Sequence, residues 1–484
     1  MFSAATYADR RRTLAAAVGS GLIVIPGNDP APMNYAGNVH RFVQDGSFRY
    51  YAGWNAPGLA LVIDADDGTE TLVGPSPTLD DAIWEGPAPT ILDRAEAVGI
   101  RNTAEPRALA EIVQGARRNG RTVHILPAYG GQKLRLAEAF GVLPAALAPS
   151  PTLVAAVVAQ RLVKSPEEVA EIEVACGIAA EMHTLAMRLA QPGVSEQHVA
   201  GAMEGLALQH GSFPSFPVIL SRRGEVLHGH ATDALLQEGD LMLHDAGAVA
   251  PGSGYASDLT RTSPVGGTFG EKQRALYEVV LDAQTAAIAA CTVGAPFVDI
   301  HLLAAKRIVQ GLTALGILRG DADEAVAAGV HALFFPHGLG HAMGLDVHDM
   351  EGLGEDAVGY GEGYARSDQF GTAYLRFARP LRPGYVMTVE PGIYLIDPLI
   401  DAWRAETKHA AFIDYAALDG WRGLGGIRLE DDVLVTLDGP RVLGPGLAKS
   451  VAGVEAAVRS GSRVPGSASA SGNVVAPGPD LPAV

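Results

Sequence analysis

Three histidines lie within twelve residues of a chain that is otherwise rich in alanine and glycine, and four acidic residues stand elsewhere in glycine-flanked, apolar contexts. The seven residues are His337, His341, His348, Asp245, Asp258, Glu390 and Glu430. Carboxylate oxygens with one imidazole are the donors that a pair of divalent metal ions uses in hydrolytic sites. The residue types therefore predict a two-metal centre.

The spacing of the histidines separates two kinds of metal site. His337 and His341 are four residues apart, as two ligands on one helical face would be, but Gly338 stands where the zinc motif H-E-x-x-H requires its glutamate. The glycines also disfavour a regular helix, so that motif is excluded. His348 precedes Asp349, which we expect to orient its imidazole.

The carboxylates lie where apolar strands are predicted to end. Asp245 and Glu390 each follow an apolar run and precede a glycine turn. An acid at the end of a buried strand is costly unless it is paired or metal-bound. Glu430 is predicted inside a strand, where period-two alternation puts Arg428 on the same face. By the same alternation His244, beside Asp245, should face away and be structural.

The elements that must position these residues fall into two domains and a tail. Short β-rich runs at 22–25, 60–63, 71–73 and 122–126, with helical spacing over 104–116, predict an α/β domain over residues 1–160. A second domain is predicted over 161–450. Its first helix should begin at Ser165, with Pro166 at the first helical position and Glu168 closing a capping box.

The two ends of the chain have distinctive compositions. Residues 451–484 are mostly small or turn-forming and are predicted to be disordered. Arg10–Arg12 followed by an apolar stretch resembles a signal peptide. Because Gly19, Ser20 and Gly21 interrupt that stretch, a short helix leading into a strand is the preferred interpretation.

The overall composition limits the classes of binding partner and the cellular compartments that we expect. The 484 residues carry a net charge of −18, which disfavours nucleic acid because phosphate binding needs a basic field. No apolar run is long enough to span a membrane. Two cysteines far apart, Cys176 and Cys291, favour a reducing compartment, and we expect a cytoplasmic protein.

The order Asp, Asp, His, Glu, Glu of the candidate ligands resembles that of the pita-bread metallopeptidases (peptidase family M24), over residues 165–445. Pro32–Tyr35 and Phe48–Ile63 resemble the creatinase-like domain that precedes the catalytic domain in the aminopeptidase P and prolidase group. The resemblance implies an α/β (α+β) fold, with a creatinase-like N-terminal α/β domain followed by a pita-bread catalytic domain.

The resemblance also implies roles for the ligands. Asp245 would chelate one ion, His341 and Glu390 the other, and Asp258 and Glu430 would bridge both. A water shared by the ions would then be acidified towards hydroxide. Hard oxygen donors with one imidazole suit Mn²⁺, with Co²⁺ or Zn²⁺ as alternatives.

Three further histidines match positions around the substrate in that family. His228 resembles the substrate-contacting histidine and is preferred over its neighbour His230. His337 resembles a proton-relay histidine, and His348 the one that binds substrate and stabilises the oxyanion. Glu390 is also expected to accept the proton of the attacking water.

The function implied is hydrolysis of the bond between an N-terminal residue and a following proline. The substrate would be a proline-containing peptide, and a homo-oligomer (dimer or tetramer) is expected. The alternative is an Xaa-Pro dipeptidase, which should hold the proline carboxylate with an arginine. The candidates are Arg366, Arg376, Arg379, Arg404 and Arg428. A non-catalytic pita-bread scaffold and a metal-free creatinase-type enzyme are disfavoured because all five ligands are present.

Overall fold

The computed structural model describes residues 1–461. The N-terminal part contains one mixed sheet, a small exposed hairpin and seven α-helices. Its strands are β1 Leu22–Pro26, β2 Pro32–Tyr35, β3 Asn38–Val39, β4 Ala60–Asp64, β5 Glu70–Val73, β6 Asn102–Ala104 and β7 Val123–Ile125. Its helices are α1 Ala4–Val18, α2 Gly46–Ala52, α3 Leu79–Trp84, α4 Ile91–Ala97, α5 Ala108–Arg118, α6 Gly130–Phe140 and α7 Pro151–Leu162.

The main N-terminal sheet has the strand order β6-β5-β4-β1-β7. β1 pairs antiparallel with β4 and parallel with β7, and all five residues of β1 are buried because helices cover both faces. The four predicted strands are confirmed. β6 was not predicted, since Asn102–Ala104 carries no apolar alternation, and α5 therefore begins four residues later than expected.

The N-terminal segment forms the helix and strand that its sequence favours. α1 begins after Ser3, whose hydroxyl accepts from the Thr6 amide, and ends at Gly19 with φ 89°. β1 follows directly. Among the described residues, no helix combines the length and hydropathy needed to cross a bilayer.

The second part of the chain surrounds three small antiparallel sheets with helices. Its strands are β8 Ile219–Ser221, β9 Leu241–Ala246, β10 Leu259–Pro264, β11 Val386–Val389, β12 Gly392–Tyr394, β13 Gly426–Arg428, β14 Asp431–Thr436 and β15 Gly439–Val442. Its helices are α8 Pro166–Leu189, α9 Glu196–Gln209, α10 Glu271–Ala290, α11 Phe297–Ala314, α12 Ala322–Ala328, α13 Glu355–Gly359, α14 Asp397–Ala405, α15 Tyr415–Asp419 and α16 Val451–Arg459. The capping box predicted at the start of α8 is confirmed.

The sheets are β10-β9-β8, β11-β14-β15 and β12-β13. Every residue of β9 and β10 is buried, so acidic residues at their ends lie inside the protein. An isolated bridge between Thr260 and Glu430 joins β10 to the link between β13 and β14, and a bridge between Ala342 and Met387 joins a loop to β11. The ends of three sheets therefore meet at one place.

Two expectations for this part need correction. Glu430 does not lie inside a strand: β13 ends at Arg428 and β14 begins at Asp431, with Glu430 bridged to Thr260 between them. Residues 451–459 are not disordered, because α16 buries Val454 and Val458. The rest of the predicted tail, 462–484, lies outside the described residues.

The N-terminal part contacts the loop that follows His341. Arg161 of α7 donates to Ser47 of α2 (2.9 Å) and to Asp349 (2.7 Å), and Lys164 donates to the other Asp349 oxygen at 2.9 Å. The Arg161, Lys164 and Asp349 side chains are at most 2% exposed. We call these three residues the ion-paired network.

Candidate active site

The five predicted ligand residues converge at the meeting point of the sheets. Asp245 lies near the end of β9, Asp258 immediately before β10, and His341 in the loop that pairs with β11. Glu390 follows β11 and Glu430 lies between β13 and β14. We call these five residues the acidic cluster.

Within the acidic cluster, two groups of donor atoms each lie within 4.8 Å of one another. One consists of Asp245, Asp258 and Glu430, and the other of His341, Glu390 and Glu430. His341 Nε2 lies 3.5 Å from an Asp258 oxygen and 3.9 Å from a Glu390 oxygen. Each group has the size and composition of a divalent-cation site, and the two share Glu430.

The acidic cluster is short of positive charge. Burial and the neighbouring carboxylates raise the pKa of Asp258 and of Glu430 well above the usual range, and burial raises the pKa of Glu390 to about 8. Asp245 Oδ1 and Asp258 Oδ1 are buried without a hydrogen-bond partner in the described part of the chain. Orphaned carboxylate oxygens of this kind fit metal ligation.

A second layer of hydrogen bonds fixes the carboxylates. Arg428 donates to Asp245 at 2.6 Å and to the Thr260 hydroxyl at 3.2 Å, and Thr260 donates to Glu430 at 2.6 Å. Arg428 and Glu430 therefore share a face, as the alternation predicted. Because the buried Arg428 guanidinium is bound to the Asp245 carboxylate, its position supports an orienting role, and the predicted substrate contact stays a prediction.

His337 is held by a tyrosine that the sequence interpretation did not identify. Tyr394 of β12 contacts His337 Nε2 at 2.9 Å and accepts from Arg428 at 2.9 Å. Burial, with Arg428 nearby, lowers the pKa of His337 to about 3, so its imidazole is neutral. No sequence pattern marks Tyr394, since it lies in an ordinary apolar strand.

His348 stacks on His341 with 3.8 Å between ring centroids. The expectation that Asp349 orients it is wrong, because the carboxylate of Asp349 is bound by Arg161 and Lys164. Glu351 takes that role instead, with an oxygen 3.0 Å from His348 Nδ1. A glutamate three residues after the histidine was the available signal.

A cavity of about 890 Å³ opens above the acidic cluster. All the predicted ligands and catalytic histidines line it, including His228. The neighbouring His230 contacts the Val218 carbonyl instead. One wall is apolar and is formed by Phe216, Ile219, Leu227, Phe370, Ile396 and Leu399.

The structure separates the five candidate arginines. Arg376 and Arg428 line the cavity. Arg366 pairs with Glu355 and Asp356, and Arg379 with Glu362. Arg404 pairs with Asp419.

His244 behaves as predicted for a structural residue. It is fully buried, with Nδ1 2.8 Å from His183 Nδ1 and Nε2 3.0 Å from the Ser263 hydroxyl. Burial lowers the pKa of both histidines, to about 4 for His183. His244 therefore faces away from its neighbour Asp245.

The fold and the buried acidic donors are those of a metallopeptidase. The chain belongs to the metallopeptidase family M24, which it matches over residues 170–437, and residues 7–124 match the aminopeptidase P N-terminal domain. A divalent metal requirement follows from the family and fits the acidic cluster.

Curated relatives extend the likeness along nearly the whole chain. The chain is 32% identical to the Xaa-Pro dipeptidase of Homo sapiens, over 90% of this chain and 88% of that protein. It is 30% identical to the Xaa-Pro aminopeptidase of Escherichia coli strain K12, over 92% of this chain and 96% of that protein.

Solved structures agree with these relatives. Aminopeptidase P from E. coli with the inhibitor Pro-Leu superposes with a TM-score of 0.77 at 28% identity, covering 95% of this chain and 99% of that chain. Pseudomonas aeruginosa aminopeptidase PepP gives a TM-score of 0.78 at 29% identity, with the same coverage. The creatinase-like and pita-bread fold expected from the sequence is therefore confirmed.

Proposed function

We propose that this protein is a dinuclear metal-dependent Xaa-Pro peptidase, acting like aminopeptidase P on the bond between an N-terminal residue and a following proline. The observation that carries the proposal is the pair of overlapping donor groups, joined at Glu430, on the floor of one cavity. The similarity to proteins named Xaa-Pro aminopeptidase and Xaa-Pro dipeptidase supports the substrate class.

The residues of the acidic cluster divide naturally between two ions. We assign Asp245 to one ion, His341 and Glu390 to the other, and Asp258 and Glu430 to both. The bound ions would acidify a water and polarise the scissile carbonyl. The mainly oxygen donor set favours Mn²⁺, with Co²⁺ or Zn²⁺ as alternatives.

The protein's own groups perform the remaining tasks. We assign proton acceptance to Glu390, whose carboxylate lines the cavity beside His341. His348 would stabilise the oxyanion through Nε2, since Nδ1 faces Glu351. His337 would relay protons through Tyr394, and His228 would contact the substrate.

Proline at the second position explains why a metal site is useful. The imide nitrogen of an Xaa-Pro bond carries no N–H, so a peptidase that grips that hydrogen cannot hold the substrate. Polarisation of the carbonyl needs no such contact. The cavity of about 890 Å³ supports peptides that continue beyond proline.

An Xaa-Pro dipeptidase is the second candidate, and Arg376 favours it. Its guanidinium lines the cavity, is 38% exposed, and has free donors beside its bond to Glu351. Such a group suits a free proline carboxylate. The arginine therefore supports recognition of a substrate that ends at proline.

The experiment compares Mn²⁺-loaded protein on an Xaa-Pro dipeptide, an Xaa-Pro-Yaa tripeptide and an Xaa-Ala-Yaa control. Aminopeptidase P-like function predicts that the tripeptide with proline is cleaved at least as well as the dipeptide, and that the alanine control is a poor substrate. Cleavage of the dipeptide alone would select the dipeptidase. Cleavage of neither proline substrate would contradict both.

We also propose a homo-oligomer, a dimer or tetramer, in the cytoplasm. Exposed apolar residues concentrate on the N-terminal part: Met33, Tyr35, Leu79, Ile83 and Trp84 are 55–85% exposed. Side chains of this kind are typical of association surfaces. Light scattering of wild-type protein and of the Trp84→Ser variant tests this, and a monomeric wild type would contradict it.

A further inference from the structure

We propose that Glu351 is a positioning residue that couples recognition of the substrate's free carboxylate at Arg376 to the orientation of His348. The inference rests on the proposed Xaa-Pro peptidase function and on Arg376 as the carboxylate-binding group. The geometry that points to it is a single carboxylate oxygen shared by the two side chains.

Glu351 Oε2 lies 3.0 Å from His348 Nδ1 and accepts from Arg376 at 2.6 Å. His348 and Arg376 both line the cavity, whereas Glu351 does not. Glu351 therefore stands behind the two cavity-facing groups and contacts both. A movement of either group changes the hydrogen bond available to the other.

The backbone is shaped to place Glu351 there. Met350 adopts φ 62° and ψ 10°, a left-handed conformation that costs a non-glycine residue free energy. Met350 is 2% exposed, so packing of its side chain holds this turn. The short 3₁₀ turn Glu351–Leu353 follows directly and directs the glutamate back towards His348.

Burial alone would raise the pKa of Glu351, but hydrogen bonding and attraction from His348 and Arg376 lower it. The carboxylate is therefore ionised near neutrality and accepts from both neighbours. Its other oxygen, Oε1, is buried without a partner among residues 1–461. The shared oxygen thus carries both contacts.

A second acid, Glu355, also lies near Arg376 and would compete for it if Glu351 lost its charge. Glu355 lies 3.6 Å from the same Arg376 nitrogen and lines a neighbouring cavity of about 440 Å³, which Arg376 also lines together with Asp356 and Arg366. Without the Glu351 charge, we expect Arg376 to turn towards Glu355 and out of the substrate cavity. His348 would face a neutral side chain in place of a carboxylate, and its ring would be held by a weaker hydrogen bond.

The test uses Glu351→Gln, which keeps the shape of the side chain and removes its charge. Glu355→Gln is the matched control, since it removes an acid near Arg376 that does not contact His348. Both variants and the wild type are assayed on an Xaa-Pro dipeptide and on the same dipeptide as its amide. Metal content and Tm are measured for each protein.

For Glu351→Gln we expect kcat to fall about tenfold on both substrates, because a neutral amide orients His348 less firmly than a carboxylate. KM should rise about tenfold for the free acid and stay unchanged for the amide, because only the acid uses Arg376. Glu351→Asp should restore part of kcat. In the double variant Glu351→Gln/Arg376→Gln, the KM effects should be non-additive.

Equal KM changes for acid and amide would overturn the coupling, as would a Glu355→Gln variant that reproduces the effects of Glu351→Gln. Calorimetric titration of L-proline gives a readout apart from turnover: affinity should fall in Glu351→Gln and persist in Glu355→Gln. A wild-type protein that cleaves neither these substrates nor the Xaa-Pro-Yaa tripeptide would instead contradict the proposed function.

Discussion

Two groups of buried acids in this molecule are treated in opposite ways. In the ion-paired network, Asp349 receives Arg161 and Lys164 at 2.7 and 2.9 Å. Burial acts to raise the pKa of Asp349, but Lys164 and Arg161 outweigh it and the pKa is lowered. In the acidic cluster, burial and like charges raise the pKa of Asp258 and Glu430.

The two groups differ in whether cationic side chains of the chain neutralise the buried acids. The ion-paired network contains its own cations, so it is complete within the chain. The acidic cluster has Arg428 on Asp245 and leaves two carboxylate oxygens without partners in the described residues. Buried acids without cations are costly to fold, which indicates that the missing positive charge comes from bound ions.

The largest expected effect comes from removing the shared ligand. Glu430→Gln should lower bound metal below one ion per chain and reduce kcat at least about a thousandfold, because both donor groups use Glu430. The fold should persist, since removing a charge relieves repulsion. Metal analysis and circular dichroism measure this. Full metal content with full turnover would exclude Glu430 as a ligand.

His348 tests where the acidic cluster ends, because it also lies within 4.8 Å of donor atoms of Asp258 and His341. His348→Ala should lower kcat about a hundredfold and leave the metal content unchanged, as expected for an oxyanion-stabilising group. Loss of a metal ion together with kcat would instead make His348 a ligand.

Breaking the ion-paired network should have the opposite effects: it should lower the stability of the fold and leave metal binding unchanged. Asp349→Asn leaves Lys164 buried without a carboxylate and leaves Arg161 with Asp346 alone, and should lower the free energy of unfolding by about 3 kcal/mol. Metal bound per folded molecule should stay at the wild-type level. Denaturant unfolding with metal analysis separates the two quantities, and the contrast would fail if Asp349→Asn lost metal without losing stability.

When the metal is removed, the stability of the folded protein should depend on pH, because the buried acids of the acidic cluster then have too few cations near them. Burial raises the pKa of Glu390 to about 8 in the folded protein, from an ordinary value near 4.5. The folded state then holds more protons than the unfolded state, so stability falls as pH rises from about 4.5 to 8. With EDTA the loss should be about 5 kcal/mol, because each pKa unit corresponds to about 1.4 kcal/mol. Metal-loaded protein should lack this loss, and identical profiles would refute it.

The sequence predicted Asp245 and Glu390 from a local signal, an acid where an apolar strand ends, and the family resemblance supplied the complete acidic cluster. It could not predict Glu351 or Tyr394, since both act through contacts that depend on how distant segments approach. Asp349 shows the same limit. Its neighbour His348 suggested a partnership, but Arg161 of α7 and Lys164 just beyond that helix bind the carboxylate.

In the fold, too, the elements set by local sequence were predictable, and the elements set by contacts between distant segments were not. The start of α8 and the strands β1, β4, β5 and β7 were predictable from caps and apolar runs. The break between β13 and β14 was not, because the bridge to Thr260 interrupts an alternating pattern that reads as one strand. α16 was missed because packing of Val454 and Val458 overrides a composition typical of disorder.

The most direct test of the charge deficit is the number of ions that the folded chain binds. Chelated wild-type protein is titrated with Mn²⁺ while bound metal and Xaa-Pro-Yaa hydrolysis are followed together. The acidic cluster predicts two ions per chain, with activity restored as they bind. Full activity in the chelated protein, or no ion bound per folded chain, would contradict it.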